Sequence, residues 1–385
     1  MSDLAVVPII DISPLFGSDA EKRLATANLI GKACADIGFF IIVGHQVDPS
    51  IVENAWTSTR QFFDNSLDYK MEFVKPQHEY PFGYSPIGGE VLSAGKAAEN
   101  SNAETKSVNH PDLKEMFSLG PKDPKAGFPE RLFPNQPAEF AQHYEVYYET
   151  LATLAREILK AFALTLQLED ENFFEQFVDH HASALRAIHY PAITADSDAV
   201  LPGQLRASAH TDYGTITILK SDGPGLQVSK DKSPPTWYDV PHVADGFVIN
   251  LGDLMRRWTN EKWLSTLHRV VIPSSEVSAA WGITNSGLLT EATASANDDD
   301  NSNAAHSEAE AAALNLDAAR KLANHEVMST KRRQSMAFFH NLNRDAVVSC
   351  ILREEGEVAK HAPIVAGDFL MQKHLASVQA AAANK

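Results

Sequence analysis

Residues 209–219 read AHTDYGTITIL, in which a histidine and an aspartate two positions apart precede an alternating β-branched segment. The alternation predicts a β-strand, because successive side chains of a strand point to opposite faces. Residues two apart on an extended strand share a face, so we expect His210 and Asp212 to reach the same ion. A further histidine, His268, stands at the head of the apolar segment RVVIP, which a closed barrel can bring beside the first pair.

These three side chains have the chemistry of a metal site. Two imidazoles and one carboxylate form the facial ligand set of non-haem iron(II), which leaves coordination positions open for other molecules. The set predicts an iron(II) site at His210, Asp212 and His268. A His-x-Asp pair also occurs in turns whose side chains cap backbone groups, so the pair alone leaves a structural role open.

A second pair of residues two positions apart, Arg333 and Ser335, opens the apolar segment SMAFF. A guanidinium and a hydroxyl on one face of a strand suit a carboxylate held inside a barrel. A strand from His268 to Pro273 runs roughly 16 Å away from the metal at about 3.3 Å per residue, and Arg333 opens the returning strand. We therefore expect Arg333 and Ser335 to lie deeper than the metal, within reach of a dicarboxylate that chelates it.

The second half of the chain is built of short β-branched and aromatic segments separated by Gly, Pro, Asn and Asp. Their near-regular spacing predicts an all-β barrel or sandwich. The segments are RAIHYP, GTITILKS, GLQVS, GFVINLGD, LHRVVIP and SMAFFHNLN.

The first half is predicted to be rich in helices, because its apolar residues recur at helical spacing. The predicted helices cover about 21–37, 49–63 and 137–168, with a shorter one near 171–179. VPIIDI and Phe39–Val43 predict short strands. PFGYSPIGGE predicts a loop, of which 82–89 is a candidate cover for a site mouth.

These patterns predict an α+β protein with a mainly β core, in three parts. Residues 1–135 form an N-terminal region of helices and short strands, 136–182 form long support helices, and 183–375 form the β core. An acidic insertion at about 276–330 interrupts the core, and its nine acidic and two basic residues carry −7 of the net charge of −17. We expect a flexible loop with one short helix, at the barrel end remote from the metal and without a catalytic role.

Composition limits the partners and the compartment. With 33 basic and 50 acidic residues among 385, the chain repels nucleic acid backbones and anionic membrane surfaces, so neither is an expected partner. The start lacks a secretory signal and no apolar run reaches membrane-spanning length, which predicts a cytoplasmic protein. Cys34 and Cys350 stand far apart without a CxxC pattern, which argues against a disulfide framework or a thiolate metal site. A monomer or weak oligomer is expected.

The segments HTDYGTITIL, LHRVV and RQSMAFFHN, in this order, resemble the isopenicillin N synthase-like branch of the 2-oxoglutarate and iron(II)-dependent dioxygenases. The likeness covers nearly the whole chain. VPIIDIS and GFFIIVGH are similar to the N-terminal domain of this family, and VINLGDLMRRWTN is similar to its strand and turn before the distal histidine. The resemblance implies a double-stranded β-helix, or jelly roll, flanked by helices of the N-terminal region. It also implies iron(II), with 2-oxoglutarate and O₂ as cosubstrates.

Carried over by position, the resemblance assigns the iron to the three predicted ligands and 2-oxoglutarate to Arg333 and Ser335. Tyr190 matches a family tyrosine that can bond the cosubstrate. Two departures are visible. Ile188 stands where other members often carry an asparagine, so that contact is absent, and the insertion separates the distal histidine from Arg333 far more widely than in other members.

The implied reaction is oxidation of a C–H bond of a small organic acid, amino acid or specialised metabolite. Hydroxylation is the expected outcome, with release of succinate and CO₂. Arg186 and Phe339 are candidate substrate contacts, because each shares a strand face with a predicted site residue. For Arg186 the alternative role is an exterior charge or an internal salt bridge, and for Phe339 it is plain core packing. An oxidase of the same fold that desaturates or cyclises its substrate, with or without 2-oxoglutarate, is the alternative function. A non-catalytic metal-binding or interaction protein is a further one.

Overall fold

The computed structural model describes residues 7–74, 82–88, 112–123, 125, 128–192, 204–231, 235–272 and 332–383, with side chains to residue 375. The predicted insertion at 276–330 lies outside the described residues, as does the last residue of the predicted loop 82–89.

The N-terminal region begins with two strands and three helices. They are β1 (Ile9–Asp11), α1 (Ala20–Asp36), β2 (Phe39–Val43), α2 (Pro49–Phe63) and α3 (Leu67–Met71). The Asp19 carboxylate accepts a hydrogen bond from the Lys22 amide at the start of α1, which satisfies one free amide of the first turn. Gly38 ends that helix at φ +68°, and a β-carbon there would meet the Leu264 carbonyl oxygen at 2.2 Å. The predicted helices and strands of this stretch are confirmed.

Two further strands and the longest helix follow. They are β3 (Gly83–Ser85), β4 (Glu115–Leu119) and α4 (Phe140–Thr165). The long helix confirms the prediction. The loop prediction for PFGYSPIGGE was wrong at β3, which pairs with β4 and bridges Val74. The helix predicted near 171–179 was also wrong. Turns and one 3₁₀ turn at Glu175–Phe177 take its place, because Phe174 and Phe177 pack individually on Trp258.

The second half forms ten strands and two helices among the described residues. They are β5 (Ala184–Tyr190), β6 (Ala207–His210), β7 (Ile216–Ser221), β8 (Leu226–Ser229), β9 (Trp237–Asp239), β10 (Phe247–Leu251), α5 (Asp253–Trp258), β11 (Leu267–Val270), β12 (Arg333–His340), β13 (Val347–Val348), β14 (Ile364–Val365) and α6 (Ala366–Ala383). The alanine-rich helix α6 is absent from the sequence prediction.

Most strands form two facing sheets. The larger sheet has the order β1-β2-β10-β7-β12-β5-β4-β3, and the smaller has the order β6-β11-β8-β9. Strands of the N-terminal region thus extend the larger sheet on both sides. The arrangement is the predicted double-stranded β-helix with flanking helices.

Two apolar clusters hold these layers together. One lies between the outer face of the larger sheet and helices α1, α2 and α4, and contains buried aromatic residues such as Phe62, Phe117 and Tyr144. The other fills the space between the two sheets and contains Phe39, Tyr190 and Val228. The second cluster leaves a cavity open beside it, and the predicted site residues line that cavity. None of the helices that the structure describes is both long and apolar enough to cross a membrane.

Candidate metal centre and cosubstrate pocket

His210, Asp212 and His268 lie together between the two sheets. The Nε2 atoms of His210 and His268 are 3.8 Å and 3.7 Å from Asp212 Oδ1, and one ligand atom from each residue lies within 4.8 Å of the others. His268 pairs directly with His210 across β11 and β6, and the ring centroids are 4.3 Å apart. The three donors therefore converge on one point.

The prediction that Asp212 lies on an extended strand with His210 was wrong. Strand β6 ends at His210, and Asp212 belongs to the turn before β7. Its carbonyl accepts a hydrogen bond of 2.8 Å from the Asp253 amide at the start of α5. Close packing makes this turn possible, since a β-carbon on Gly252 would meet the Gly214 carbonyl oxygen at 2.2 Å. The carboxylate is thus aimed by a contact distant in sequence.

Backbone carbonyls fix the tautomers of both imidazoles. His210 Nδ1 lies 2.7 Å from the Ser208 carbonyl oxygen, and His268 Nδ1 lies 3.0 Å from that of Thr266. Because a carbonyl can only accept, each Nδ1 donates, and each Nε2 presents a lone pair to the common point. The edge of Phe39, with its ring centroid 5.3 Å from that of His268, packs against this imidazole.

The second oxygen of Asp212 is held by two neighbouring side chains. Asp212 Oδ2 accepts hydrogen bonds from Thr217 Oγ1 at 2.5 Å and from Asn250 Nδ2 at 2.6 Å. Thr217 and Asn250 face each other across β7 and β10, and both are buried. Their donors leave Oδ1 directed at the histidines, as an outer shell does in metal sites.

The protonation states suit a cation. Burial, and then the neighbouring His268, lower the pKa of His210 to about 3, which favours the neutral ligand form. Burial opposes ionisation of Asp212, but His268, His210, and the Asn250 and Thr217 hydrogen bonds together hold its pKa below the usual value. The neutral His210 imidazole and the Asp212 carboxylate, together with the His268 imidazole, fit iron(II).

Arg333, Ser335 and Tyr190 line the same cavity. Arg333 Nε donates to the carbonyls of Gly223 and Pro224 at 3.3 Å and 3.1 Å, while its buried Nη1 has no hydrogen-bond partner among the described residues. The guanidinium carbon lies 5.0 Å from the Tyr190 ring centroid, and Tyr190 pairs with Arg333 across β5 and β12. A buried guanidinium edge with a spare donor fits a carboxylate.

Strand register separates the two ends of the cavity. Thr217, which holds Asp212, pairs with Phe339, six positions along β12 from Arg333. Arg333 lies at the other end, beside the turn at Gly223 and Pro224. The amide of Val271, where the chain leaves β11, donates to Gly225 in that same turn. The chain therefore leaves β11 and enters β12 at the Arg333 end.

The candidate substrate residues also line this cavity of about 110 Å³. Arg186 Nε donates to Ser118 Oγ at 3.0 Å, and its guanidinium carbon lies 5.5 Å from the Phe339 ring centroid. Ile188 lies on the same wall, opposite Ser335. Arg186 therefore does not lie on the exterior, and Phe339 is not a plain core residue, because both line the cavity.

Sequence reasoning missed several residues of the site. Thr217 and Asn250 are polar residues within the apolar segments TITIL and VINL, a signal that could have drawn attention to them. Lys114 lines the cavity and forms an ion pair of 3.2 Å with Asp112, whose other oxygen accepts hydrogen bonds from Ser208. Strand β4 was not predicted from the sequence, so the position of Lys114 in the cavity wall was not predicted either.

Comparison with protein families gives two matches along the chain. Residues 7–139 match the family described as non-haem dioxygenase in morphine synthesis N-terminal. Residues 181–281 match the 2OG-Fe(II) oxygenase superfamily. The second match includes the three residues of the candidate metal centre.

Relatives of the chain carry corresponding names. A "2-oxoglutarate-Fe(II) type oxidoreductase hxnY" of Emericella nidulans is 32% identical over 270 residues, which are 69% of this chain and 74% of that protein. The "Proline hydroxylase buaE" of Petromyces alliaceus is 33% identical over 274 residues, 69% of this chain and 80% of the relative.

Solved structures show the same fold. A full-length Neurospora crassa protein, crystallised in complex with alpha-KG and thymine, superposes with a TM-score of 0.72 at 26% identity, over 98% of each chain. The same protein in complex with alpha-KG and 5-formyluracil gives a TM-score of 0.72 at 25% identity, again over 98% of each chain.

Proposed function

Because this chain belongs to the 2-oxoglutarate and iron(II)-dependent oxygenases, we propose that it hydroxylates a C–H bond of a small molecule with iron(II) held by His210, Asp212 and His268. One observation carries the proposal. The three converging donors and the spare buried donor of Arg333 line a single cavity, at the two ends that a chelating dicarboxylate would bridge. A reaction of specialised metabolism is part of this proposal, and the two relatives named above are fungal proteins.

Each residue has a defined task in this proposal. When bound, iron(II) with 2-oxoglutarate and oxygen supplies the oxidation of the C–H bond and the release of succinate and CO₂. The Ser208 and Thr266 carbonyls orient the imidazoles, and Thr217 and Asn250 orient the carboxylate. The buried walls exclude water from the reacting groups.

Arg333, Ser335 and Tyr190 would hold the cosubstrate. The unpartnered Nη1 donor of Arg333 would bind the far carboxylate of 2-oxoglutarate, and the Ser335 hydroxyl, on the same strand face, would offer a second donor. Tyr190 packs beside the guanidinium and restricts its orientation. A guanidinium held in this way recognises a carboxylate by geometry as well as by charge.

Arg186 and Phe339 would contact the substrate. The Phe339 ring offers a flat apolar surface and the adjacent Arg186 guanidinium offers donors for an oxygen acceptor. We propose a free small molecule as substrate, with the enzyme acting as a monomer or weak oligomer and without nucleic acid. Thymine and L-proline belong in the first substrate panel, because the Neurospora crassa protein binds thymine and the Petromyces alliaceus relative is named a proline hydroxylase.

The test measures cosubstrate binding and succinate. Iron-loaded protein should develop the visible absorption band of the iron(II)–2-oxoglutarate chelate without oxygen, and release succinate when oxygen is admitted. Arg333→Leu should weaken 2-oxoglutarate binding at least about a hundredfold, since it removes one partner of a buried charge pair. Arg333→Lys should recover part of it, because the charge returns without the fork.

Arg332→Leu is the matched control. Arg332 is the neighbouring residue, and its guanidinium forms a partly exposed ion pair of 2.5 Å with Asp64. This variant should bind 2-oxoglutarate like the parent. Absence of both the band and succinate in the parent protein contradicts cosubstrate use. Oxidised substrate without succinate identifies the alternative oxidase.

A further inference from the structure

Strand β6 has a bulge immediately before the ligand residue His210. Ala207 pairs with Val270, and three positions later His210 pairs with His268. Two residues of β6 therefore lie opposite one residue of β11, which is the pattern of a bulge. Among the residues that the structure describes, β6 is also the outermost strand of the smaller sheet. Because a bulge re-aims the side chains beside it, the direction of the His210 imidazole depends on what holds this bulge.

Asp112, a residue of the N-terminal region, holds the bulge through Ser208. Its Oδ1 accepts hydrogen bonds from the Ser208 amide at 2.9 Å and from the Ser208 hydroxyl at 2.6 Å. The carbonyl of Ser208 accepts the hydrogen bond of 2.7 Å from His210 Nδ1. Both donors of the bulged residue thus meet one carboxylate oxygen, while its acceptor orients the ligand.

Asp112 is itself fixed in position. Its side chain is 1% exposed, and its Oδ2 lies 3.2 Å from Lys114 Nζ. The amide of Leu113 donates to the carbonyl of Leu205 at 3.2 Å, which docks this segment beside the start of β6. Burial of a carboxylate is costly unless an opposite charge and hydrogen-bond donors surround it, and Asp112 has both. The carboxylate can therefore serve as a rigid anchor for β6.

We propose that Asp112 is a positioning residue of the metal centre. Through Ser208 it fixes the bulge of β6, and the fixed bulge holds the His210 imidazole at the point where the three donors converge. An imidazole held in this way loses less conformational freedom when iron(II) binds, so the metal binds more tightly. The inference rests on the proposed function, because it takes iron(II) as the occupant of this centre.

A purely structural role is the competing explanation, since Asp112 also docks the N-terminal region on the β core. Glu115 separates the two explanations. It is a second buried carboxylate three positions away, and it forms an ion pair of 2.8 Å with Lys70. Tyr84 and His189 also donate hydrogen bonds to it, and neither they nor Lys70 belong to β6. Loss of either carboxylate should destabilise the fold, whereas only loss of Asp112 should weaken iron binding.

The experiment compares Asp112→Ala with Glu115→Ala in the full-length protein. Iron(II) affinity is measured without oxygen, by competition with a chelator whose iron complex is coloured, and unfolding of the metal-free protein is followed in urea. Asp112→Ala should bind iron(II) at least about tenfold more weakly than the parent, as loss of an outer-shell residue does. Glu115→Ala should bind iron(II) like the parent, although the midpoint of its urea denaturation falls as well.

Ser208→Ala provides a second test, which decides the question if Asp112→Ala fails to fold. It removes only the hydroxyl donor, so iron(II) affinity should fall about threefold while the hydrogen bond of the amide persists. The double variant Asp112→Ala/Ser208→Ala should bind iron(II) no more weakly than Asp112→Ala, because the hydroxyl acts through the carboxylate. A residue that only stabilised the fold would not produce this dependence.

Parent affinity in a folded Asp112→Ala variant, or in Ser208→Ala, overturns the proposal. Equal losses of affinity in Asp112→Ala and Glu115→Ala overturn it too, as do losses that multiply in the double variant. Failure of the proposed function is distinguishable, because the parent protein itself then binds no iron(II), or binds it without forming the 2-oxoglutarate absorption band.

Discussion

The hydrogen bond from Thr217 to Asp212 offers a direct test of how the metal centre is built. Thr217→Val removes the hydroxyl that donates to Asp212 Oδ2 at 2.5 Å and preserves the shape of the side chain. A hydrogen bond to a charged group contributes about 1.5–3 kcal/mol. Because about 1.4 kcal/mol corresponds to a tenfold change in affinity, iron(II) should bind roughly 10- to 100-fold more weakly. The remaining donor, Asn250, keeps the effect from exceeding this range.

The assay is anaerobic competition for iron(II) between the protein and a chelator whose iron complex is coloured. Thr215→Val is the control, since Thr215 is also buried, and its hydroxyl donates to the His340 carbonyl at 2.6 Å instead of to Asp212. That variant should bind iron(II) like the parent although it loses a buried hydrogen bond. An unchanged affinity in Thr217→Val, or an equal loss in both variants, would refute the argument.

Two other perturbations address stability. Gly252→Ala should lower the free energy of unfolding by about 2 kcal/mol or more in urea denaturation, because the added β-carbon overlaps the Gly214 carbonyl. The control is Gly223→Ala, which has open space around the new atom and should keep the free energy of unfolding near the parent value. Equal losses in the two variants would contradict the packing argument. Burial, then Arg156, lower the pKa of His181 to about 4, so the folded state binds this proton less readily than the unfolded state. The contribution of neutral His181 to the free energy of unfolding is fully present above about pH 6.5. It falls by up to about 3 kcal/mol as the pH drops towards 4. His181→Phe should reduce this acid loss in denaturation curves recorded from pH 7.5 to 4.5, and an unchanged pH dependence would contradict the assignment.

The period of two along β-strands made much of the site predictable. Arg333, Ser335 and Phe339 share one face of β12, and Arg186 and Tyr190 share one face of β5, so alternate positions in the sequence identify the cavity wall. The histidine ligands followed from their chemistry. The same local rule failed at Asp212, because the turn that positions it depends on the amide of Asp253, far along the chain.

Residues whose roles depend on distant pairing were out of reach. Lys114 enters the cavity because β4 pairs with β5, some seventy positions later, and neither β4 nor that register is visible in a five-residue apolar segment. Thr217 and Asn250 act together only because β7 and β10 bring them opposite each other. The signal for α6 was present in its alanine-rich composition, but the interpretation of 183–375 as a β core overlooked it.

The sharing of one large sheet between the N-terminal region and the β core has a consequence for how the protein resists self-association. Strand β2 covers the flank of β10, and β4 covers the flank of β5. The outermost strands of that sheet, β1 and β3, have only three residues each, too short to recruit a neighbouring chain. A fragment of residues 183–375 would expose two longer strands with unpaired amides and carbonyls. We expect such a fragment to aggregate, so the N-terminal strands protect the catalytic half as much as they shape it.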